Sequence, residues 1–227
     1  MRRSSTHQAQ TWSAATTRPE AAPKRVLNAG SGPSSARGLH PVFDVTAWQE
    51  VRFDVDAHAA PDVVGSVTHT AAIFPPRSFD AIWSSHTLEH LHAHEVVPAL
   101  RQFRWVLKTD GFALVTCPDL EAVASLVLHH GLDFEAYTAP AGPITPLDML
   151  FGHSASVADG NYHMCHKTGF TCARLGDVLL QAGFPTVLAK RGEQYDLWAL
   201  ALMEDADKQD IQRRLHRCGL DMFDDED

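Results

Sequence analysis

Short apolar runs alternate with amphipathic stretches from Lys24 onward, which is the pattern of βαβ units around a parallel sheet. The apolar runs predict five strands, at residues 26–29, 49–55, 62–67, 79–84 and 111–116. Two later runs, at 185–189 and 195–203, are joined by a short polar stretch with a glycine and predict an antiparallel hairpin.

Two other stretches repeat their apolar residues at helical spacing. The first, 96–107, predicts a crossover helix that ends in the turn at Gly111. The second, 175–182, predicts a helix capped by Thr171 and ended by Gly183. The whole pattern predicts a doubly wound, Rossmann-like α/β domain with a mostly parallel sheet and a C-terminal antiparallel hairpin.

The composition shifts along the chain predict one domain with a segment on each side. Residues 1–23, rich in Ser, Thr, Ala and Gln, predict a disordered leader. The domain spans 24–204, and its irregular stretch 132–170, with several prolines and histidines, is expected to be functional. Residues 205–227 are expected to form an acidic tail.

Charge and composition narrow the functional classes. The formal net charge of −9 offers no broad cationic surface, so nucleic acid is not an expected partner. The four cysteines form no C-x-x-C pair, and reduced thiols are expected. No apolar run reaches the roughly 18 residues of a membrane span, so we expect a cytoplasmic protein without a membrane partner.

A glycine turn follows the first predicted strand, in the sequence Asn28-Ala29-Gly30-Ser31-Gly32. Glycines at this place permit a tight turn and let backbone amides approach a ligand, although the third glycine of a dinucleotide fingerprint is missing. The second strand ends in Phe53-Asp54-Val55-Asp56, where an acidic side chain would accept both ribose hydroxyls of an adenosine. Together, the glycine turn and the acidic end of the second strand predict an adenosine-containing cofactor, with Asp54 as the ribose ligand and Asp56 as the alternative.

Two further blocks, SFDAIWSSHTLEHL at 78–91 and LKTDGF at 107–112, point to a known family. With the glycine turn, they resemble the class I S-adenosylmethionine-dependent methyltransferases, of the methyltransferase-11-like type. In that family the fourth strand reads as FD with apolar residues and runs into LEH, and a VLKPGG-like turn precedes the fifth strand. The resemblance covers residues 26 to about 203 and implies a transferase that uses S-adenosyl-L-methionine.

The resemblance also implies where the cofactor would lie. The glycine turn would face the methionine part of the cofactor. Its cofactor-binding residues would be Asn28, Ala29, Gly30 and Gly32, and Asn28 stands at a position where the family often has an acid. Ser66 stands where the family commonly has an Asp facing the adenine. The strand-four loop would line the floor beneath the sulfonium, through Ser84, Ser85 and His86.

Methyl transfer mainly needs alignment, and a base only where the acceptor atom carries a proton. Histidine suits that role near neutral pH. The catalytic candidates are His166, His86 and His163. The acceptor, a small molecule methylated on oxygen, nitrogen or sulfur, is expected between the strand-four loop and residues 147–170; its candidate ligands are His153, Tyr162, His163 and His166. His166 ranks first because the stretch at 166–171 resembles one before the last major helix in relatives.

Two alternatives stay open. A non-catalytic cofactor-binding or regulatory protein of the same fold is conceivable because Asn28 and Ser66 depart from the family. The sequence at 86–90 matches H-x-x-E-H, the inverted zinc-protease motif, which makes a zinc hydrolase using His86, Glu89 and His90 a remote alternative. Because the motif directly follows the fourth strand, we expect it to be a coincidence and assign no metal.

Overall fold

The structure is a computed structural model that describes residues 22–34 and 38–223. The leader predicted for 1–23 therefore lies almost wholly outside the described residues. The strands are β1 (Lys24–Ala29), β2 (Trp48–Asp54), β3 (Val63–Val64), β4 (Phe79–Ser85), β5 (Leu107–Pro118), β6 (Tyr137–Ala139), β7 (Gly142–Ile144), β8 (Thr186–Arg191) and β9 (Asp196–Leu202). The α-helices are α1 (Thr70–Ile73), α2 (Ala93–Val106), α3 (Leu120–His130), α4 (Pro146–Phe151), α5 (Ser154–Ala158), α6 (Cys172–Gln181) and α7 (Lys208–Arg217).

The central sheet confirms the predicted doubly wound fold. Its seven strands run in the order β3-β2-β1-β4-β5-β9-β8, and β1 to β5 pair in parallel. The closing pair β8 and β9 is antiparallel, as the two C-terminal apolar runs predicted. The strand order reverses between β1 and β4, and ligands of such sheets bind outside the carboxyl ends of the strands at this point.

Alternate residues of the strands face two separate apolar layers, as the period of two requires. One layer packs against α2 and α6, with Leu100, Phe103 and Leu179 buried in it. The other is covered by residues 39–48 and by the C-terminal segment, with Phe43 and Leu215 at its centre. No helix is present between β1 and β2 in the described residues. The glycine turn thus leads into irregular chain rather than into a packed helix.

The third strand and the end of the first long helix differ from the prediction. Only Val63–Val64 pair as β3, because the Ser66 hydroxyl accepts a hydrogen bond from Thr68 N–H and starts a 3₁₀ helix at Val67–His69. The helix α2 ends at Val106, five residues before the predicted stop at Gly111. Gly111 instead lies inside β5, where an added Cβ would sit 2.9 Å from the Asp80 carbonyl oxygen. Its role is close backbone approach between strands.

The second predicted helix is confirmed together with its cap. Thr171 is the N-cap of α6, and its Oγ1 accepts a hydrogen bond from Arg174 N–H at 3.2 Å. Gly183 follows the helix with a φ of +101°, a conformation that favours glycine. The cap fixes where the chain turns from the irregular stretch into the helix, one residue after Phe170.

The segment assigned to an acidic tail contributes structure up to residue 223. The helix α7 lies within it, and Ile211 and Leu215 on one side of this helix are buried. Leu220, Met222 and Phe223 are also less than a tenth exposed and join the second apolar layer. Among the described residues, no helix is both long and apolar enough to cross a membrane.

Candidate functional site

The glycine turn and the end of β2 are joined by hydrogen bonds at the carboxyl edge of the sheet. Gly32 N–H donates to Asp54 Oδ2 at 2.8 Å, and Gly30 N–H donates to the Phe53 carbonyl at 2.8 Å. Gly30 and Gly32 have φ values of +75° and +59°, in the left-handed region. A side chain at Gly30 would also overlap Thr87, whose hydroxyl donates to the Ala29 carbonyl. The turn therefore requires glycine for conformation and for space.

Asp54 and Asp56 are placed differently by the structure. Asp54 closes β2 and accepts from Gly32 N–H with one oxygen and from Asp56 N–H with the other, at 2.9 Å. Asp56 caps the short 3₁₀ helix that follows and accepts from His58 N–H at 2.8 Å. Each carboxylate oxygen of Asp54 keeps a second lone pair for a ligand. Asp54 is thus the acid that touches the glycine turn.

The position where the family often has an acid is filled here by a hydrogen-bonded amide. Asn28 is 4% exposed, and its Nδ2 donates to Glu50 Oε1 on the neighbouring strand β2 at 2.7 Å. The negative charge absent from position 28 is therefore supplied from the adjacent strand. Strand order was needed to find Glu50, because the two residues are 22 positions apart in the sequence.

The carboxyl end of β4 carries the three residues assigned to the cofactor floor. Ser84 is fully buried, and its Oγ has no hydrogen-bond partner within the described part of the chain. The Ser85 hydroxyl is 3.0 Å from Thr116 Oγ1 on β5. His86 follows with a φ of +51°, and its N–H donates to the Thr116 carbonyl at 2.9 Å. This backbone turn presents the His86 side chain at the switch point.

Glu89 is a buried acid among three histidines. It is 1% exposed, and its Oε1 lies 3.2 Å from His86 Nδ1. Burial acts to raise the pKa of Glu89, but the contact with His86 and the imidazoles of His86, His90 and His166 outweigh it. The pKa lies below the ordinary value, so the carboxylate is ionised at neutral pH.

His166 lies next to this acid, at the wall of a cavity. The cavity, about 230 Å³, opens beside the carboxyl end of β5; its lining includes Glu89, Pro118, Leu120, Met149, His166 and Lys167. His166 Nδ1 is 2.9 Å from the Met149 carbonyl, and burial lowers the pKa of His166. The imidazole is therefore neutral near pH 7, with Nδ1–H donating to the carbonyl.

The remaining predicted residues lie away from that cavity. Ser66 caps a 3₁₀ helix, and His153 contacts the Ser156 hydroxyl 2.8 Å away within its own turn. Tyr162 is 72% exposed, and His163 is also exposed; neither lines the cavity. A larger, more open depression of about 330 Å³ between α3 and β8 contains none of the predicted site residues.

The H-x-x-E-H sequence does not form the helix that an inverted zinc protease needs. His86 lies in the loop after β4, while Glu89 and His90 belong to a 3₁₀ helix at Leu88–His90. Cys117 in β5 is fully buried, and burial raises the pKa of its thiol well above the ordinary value, which fits a packing role. Residues 86–90 therefore lack zinc-protease geometry, and Cys117 is not placed as a reactive thiol.

Comparison with known proteins agrees with the geometry. Residues 29–115 match a family model described as a methyltransferase domain. No curated protein sequence matches at a significant level.

Solved structures show the same fold at low sequence identity. A SAM-dependent methyltransferase from Archaeoglobus fulgidus is 13% identical with a TM-score of 0.56, over 79% of this chain and 86% of that chain. A SAM-dependent methyltransferase from Thermotoga maritima, described as a possible histamine N-methyltransferase, is 14% identical with a TM-score of 0.53, over 83% and 84%. A protein from Pyrococcus horikoshii is 12% identical with a TM-score of 0.52, over 81% and 83%.

Proposed function

We propose that this chain, whose residues 29–115 match the methyltransferase-domain family and whose sheet has the class I methyltransferase fold, is an S-adenosylmethionine-dependent methyltransferase acting on a small molecule. The observation that carries the proposal is the contact between Gly32 N–H and the Asp54 carboxylate at the switch point of the sheet. It joins the two elements that such folds use to hold an adenosine-containing ligand.

The residues at this edge fit the cofactor. Asp54 has free lone pairs for ribose hydroxyls, and the left-handed glycine turn exposes backbone next to the methionine part. The buried Ser84 hydroxyl, which lacks a hydrogen-bond partner in the described residues, is available below the sulfonium. When bound, S-adenosylmethionine supplies a methyl group on a positively charged sulfur, and its transfer leaves a neutral thioether.

The acceptor is proposed to bind in the 230 Å³ cavity beside β5. The lining combines apolar side chains with Glu89 and His166, which suits a small polar molecule. The net charge of −9 also disfavours a nucleic acid. An oxygen, nitrogen or sulfur atom of this molecule would be the nucleophile.

Where the acceptor atom carries a proton, we propose as its base His86, which is not part of the cavity lining but contacts the lining residue Glu89. The buried Glu89 carboxylate, 3.2 Å from His86 Nδ1, orients the imidazole and stabilises the imidazolium that forms when Nε2 takes the proton. His86 also stands directly after Ser84 and Ser85, next to the predicted sulfonium floor. The arrangement is a Glu–His pair in which the acid acts through the base.

Calorimetric titration with S-adenosylmethionine and S-adenosylhomocysteine tests the cofactor assignment. Asp54→Ala should weaken binding about 10- to 100-fold, because a hydrogen bond to a charged acceptor contributes about 1.5–3 kcal/mol. Asp56→Ala is the matched control, since Asp56 caps only its own turn. The reverse order of effects would place the ribose at Asp56, and no binding of either compound at millimolar concentration would overturn the proposal.

Product formation separates an enzyme from a binding protein. With S-adenosylmethionine carrying a labelled methyl group, transfer to one member of a panel of small hydroxylated, amine and thiol compounds is expected. Tight cofactor binding without transfer to any of them would favour the non-catalytic alternative.

A further inference from the structure

Three groups that donate electron pairs face one another beside the cavity. One ligand atom each of Glu89, His90 and His166 lies within 4.8 Å of the other two. The three come from distant parts of the chain, because the 3₁₀ helix after β4 supplies two of them and the irregular stretch before α6 supplies the third. Their juxtaposition is a product of the fold.

The proton positions on the two imidazoles follow from their backbone contacts. His90 Nδ1 is 3.2 Å from the Cys165 carbonyl, and His166 Nδ1 is 2.9 Å from the Met149 carbonyl. A carbonyl only accepts, so each Nδ1 carries a hydrogen, and in the neutral form of either ring that hydrogen is the only one on a ring nitrogen. Each Nε2 is then left with a lone pair. Metal-binding histidines have this arrangement, in which a carbonyl fixes the tautomer and the orientation of the ring.

The carboxylate of the cluster is buried and contacts His86 through one of its two oxygens. Glu89 is 1% exposed, and its Oε2 has no hydrogen-bond partner among the described residues. Its contact with His86 is on Oε1 alone. Two imidazoles and a carboxylate with an unpartnered oxygen therefore meet at one place, an arrangement that a cation would stabilise.

We propose that Glu89, His90 and His166 bind one divalent ion of the zinc type, through a carboxylate oxygen and the Nε2 atoms of the two histidines. The sequence alone assigned no metal, because its H-x-x-E-H pattern directly follows the fourth strand and was interpreted as a coincidence. The first histidine of that pattern, His86, stays outside the cluster, and His166 takes its place. Two imidazoles with one carboxylate suit Zn²⁺, Co²⁺ or Fe²⁺ rather than Mg²⁺ or Ca²⁺, which prefer oxygen.

The spacing of the cluster suits an ion with small movements of the side chains. Zn–N and Zn–O bonds of about 2.0–2.2 Å separate two tetrahedral ligands by about 3.4 Å. The ligand atoms, all within 4.8 Å of one another, need to close by about 1.4 Å at most. Rotation of the Glu89 side chain, whose contact with His86 is on Oε1 alone, would provide part of this closure.

Three protein ligands leave at least one coordination position open. Because Glu89 and His166 both line the cavity, this position faces the space proposed for the acceptor. Resting on the proposed function, the acceptor would carry an oxygen or nitrogen atom that ligates the ion. Such coordination would orient the molecule and lower the pKa of the bound group.

Metal binding to the full chain tests the proposal without the cofactor, so its outcome is independent of the methyltransferase assignment. Protein stripped with a chelator is titrated with Co²⁺, and visible absorption of the bound ion is recorded, followed by displacement with Zn²⁺. One equivalent of each ion should bind. Mg²⁺ at the same concentration should not displace Co²⁺.

Three variants with one matched control locate the ion. His90→Ala and His166→Ala should each weaken Co²⁺ binding at least 30-fold, and Glu89→Gln, which keeps the size of the side chain, should do so at least tenfold. His94→Ala is the control, since His94 is exposed on α2 and stacks only on His92. Thermal unfolding of each metal-free variant verifies the fold, and Glu89→Gln remains decisive if a histidine variant does not fold.

The results divide clearly. Loss of the bound ion in the three cluster variants with retention in His94→Ala supports the site. Equal Co²⁺ affinity in the parent chain, His166→Ala and Glu89→Gln would overturn it, as would a loss in His94→Ala of the same size. Failure to bind one equivalent of Co²⁺ or Zn²⁺ at 100 μM, an order-of-magnitude ceiling for a built site, would also overturn it.

Discussion

Restoring the acid that the family often has at position 28 should destabilise this protein. In Asn28→Asp, the amide that donates to Glu50 Oε1 at 2.7 Å is replaced by a carboxylate, and two negative groups then face each other at a position where residue 28 is 4% exposed. The substitution therefore removes a charge-assisted hydrogen bond and creates repulsion at the same place.

The magnitude follows from these two contributions. A hydrogen bond to a charged acceptor contributes about 1.5–3 kcal/mol. Two like charges about 4 Å apart repel by about 1 kcal/mol in water and about 4 kcal/mol near a protein surface. Because the side chains can move apart or bind a proton, we expect a loss of about 2–4 kcal/mol in the free energy of unfolding.

Urea unfolding at pH 7 of the parent chain and three variants measures this loss. Asn28→Asp should lower the midpoint without a change in slope. Asn28→Asp with Glu50→Gln should recover most of the loss, because the amide then lies on the other strand. Gln49→Glu, an exposed change of the same charge on β2, is the control and should have little effect. A fully stable Asn28→Asp protein, or one that Glu50→Gln does not rescue, would refute the reasoning.

Two further predictions concern Ser84 and the helix α4. Ser84→Ala should leave the unfolding midpoint of the free protein unchanged or raised, because the buried hydroxyl has no hydrogen-bond partner in the described residues. The same variant should bind S-adenosylmethionine more weakly. Equal cofactor affinity in calorimetry would show that Ser84 is not part of the cofactor floor. Asp148→Asn should cost about 1 kcal/mol at pH 7, allowing for solvent screening, and nothing near pH 2. Burial acts to raise the pKa of Asp148, but hydrogen bonds from Ser154 and Thr145 outweigh burial and lower the pKa to about 2. The stabilisation by the Asp148 carboxylate is therefore present above pH 4 and disappears between about pH 4 and 2. Unfolding of both proteins across this range measures the difference, and a gap that persists at pH 2 would contradict it.

The alternation of apolar runs was sufficient to predict the sheet and its closing hairpin. Strand period and helix caps are local properties, so Thr171 could be recognised as a cap from its neighbours alone. The end of α2 could not be recognised in this way. The local sequence around Gly111 predicts a helix stop. The structure shows instead that Gly111 lies in a strand, where the Asp80 backbone leaves no space for a side chain.

The helix α7 was missed because its sequence is dominated by charge. Between Lys208 and Arg217 it has two apolar residues, Ile211 and Leu215, spaced four apart. Two apolar residues are too few to establish the helical periodicity on which the sequence prediction depends. Its burial depends on the sheet face that receives it, which the sequence does not display.

The candidate site was predictable where it follows strand ends. Gly32 and Asp54 were expected together because both stand at the carboxyl ends of adjacent parallel strands. Glu50 and Thr87 were not expected, since their roles depend on register and on the path of the loop after β4. The cluster of His90 with His166 likewise depends on how the irregular stretch folds back across Glu89.

The covering of the second sheet face by the C-terminal segment affects how the protein emerges from the ribosome. Trp48, Trp83 and Phe112 are synthesised before part of their cover, which includes Leu215 and Phe223. Until residue 223 has been synthesised, the nascent sheet exposes aromatic surface that favours aggregation or chaperone binding. A stop codon or proteolytic cut after β9 should therefore reduce the soluble yield, although it removes none of the residues assigned to the cofactor.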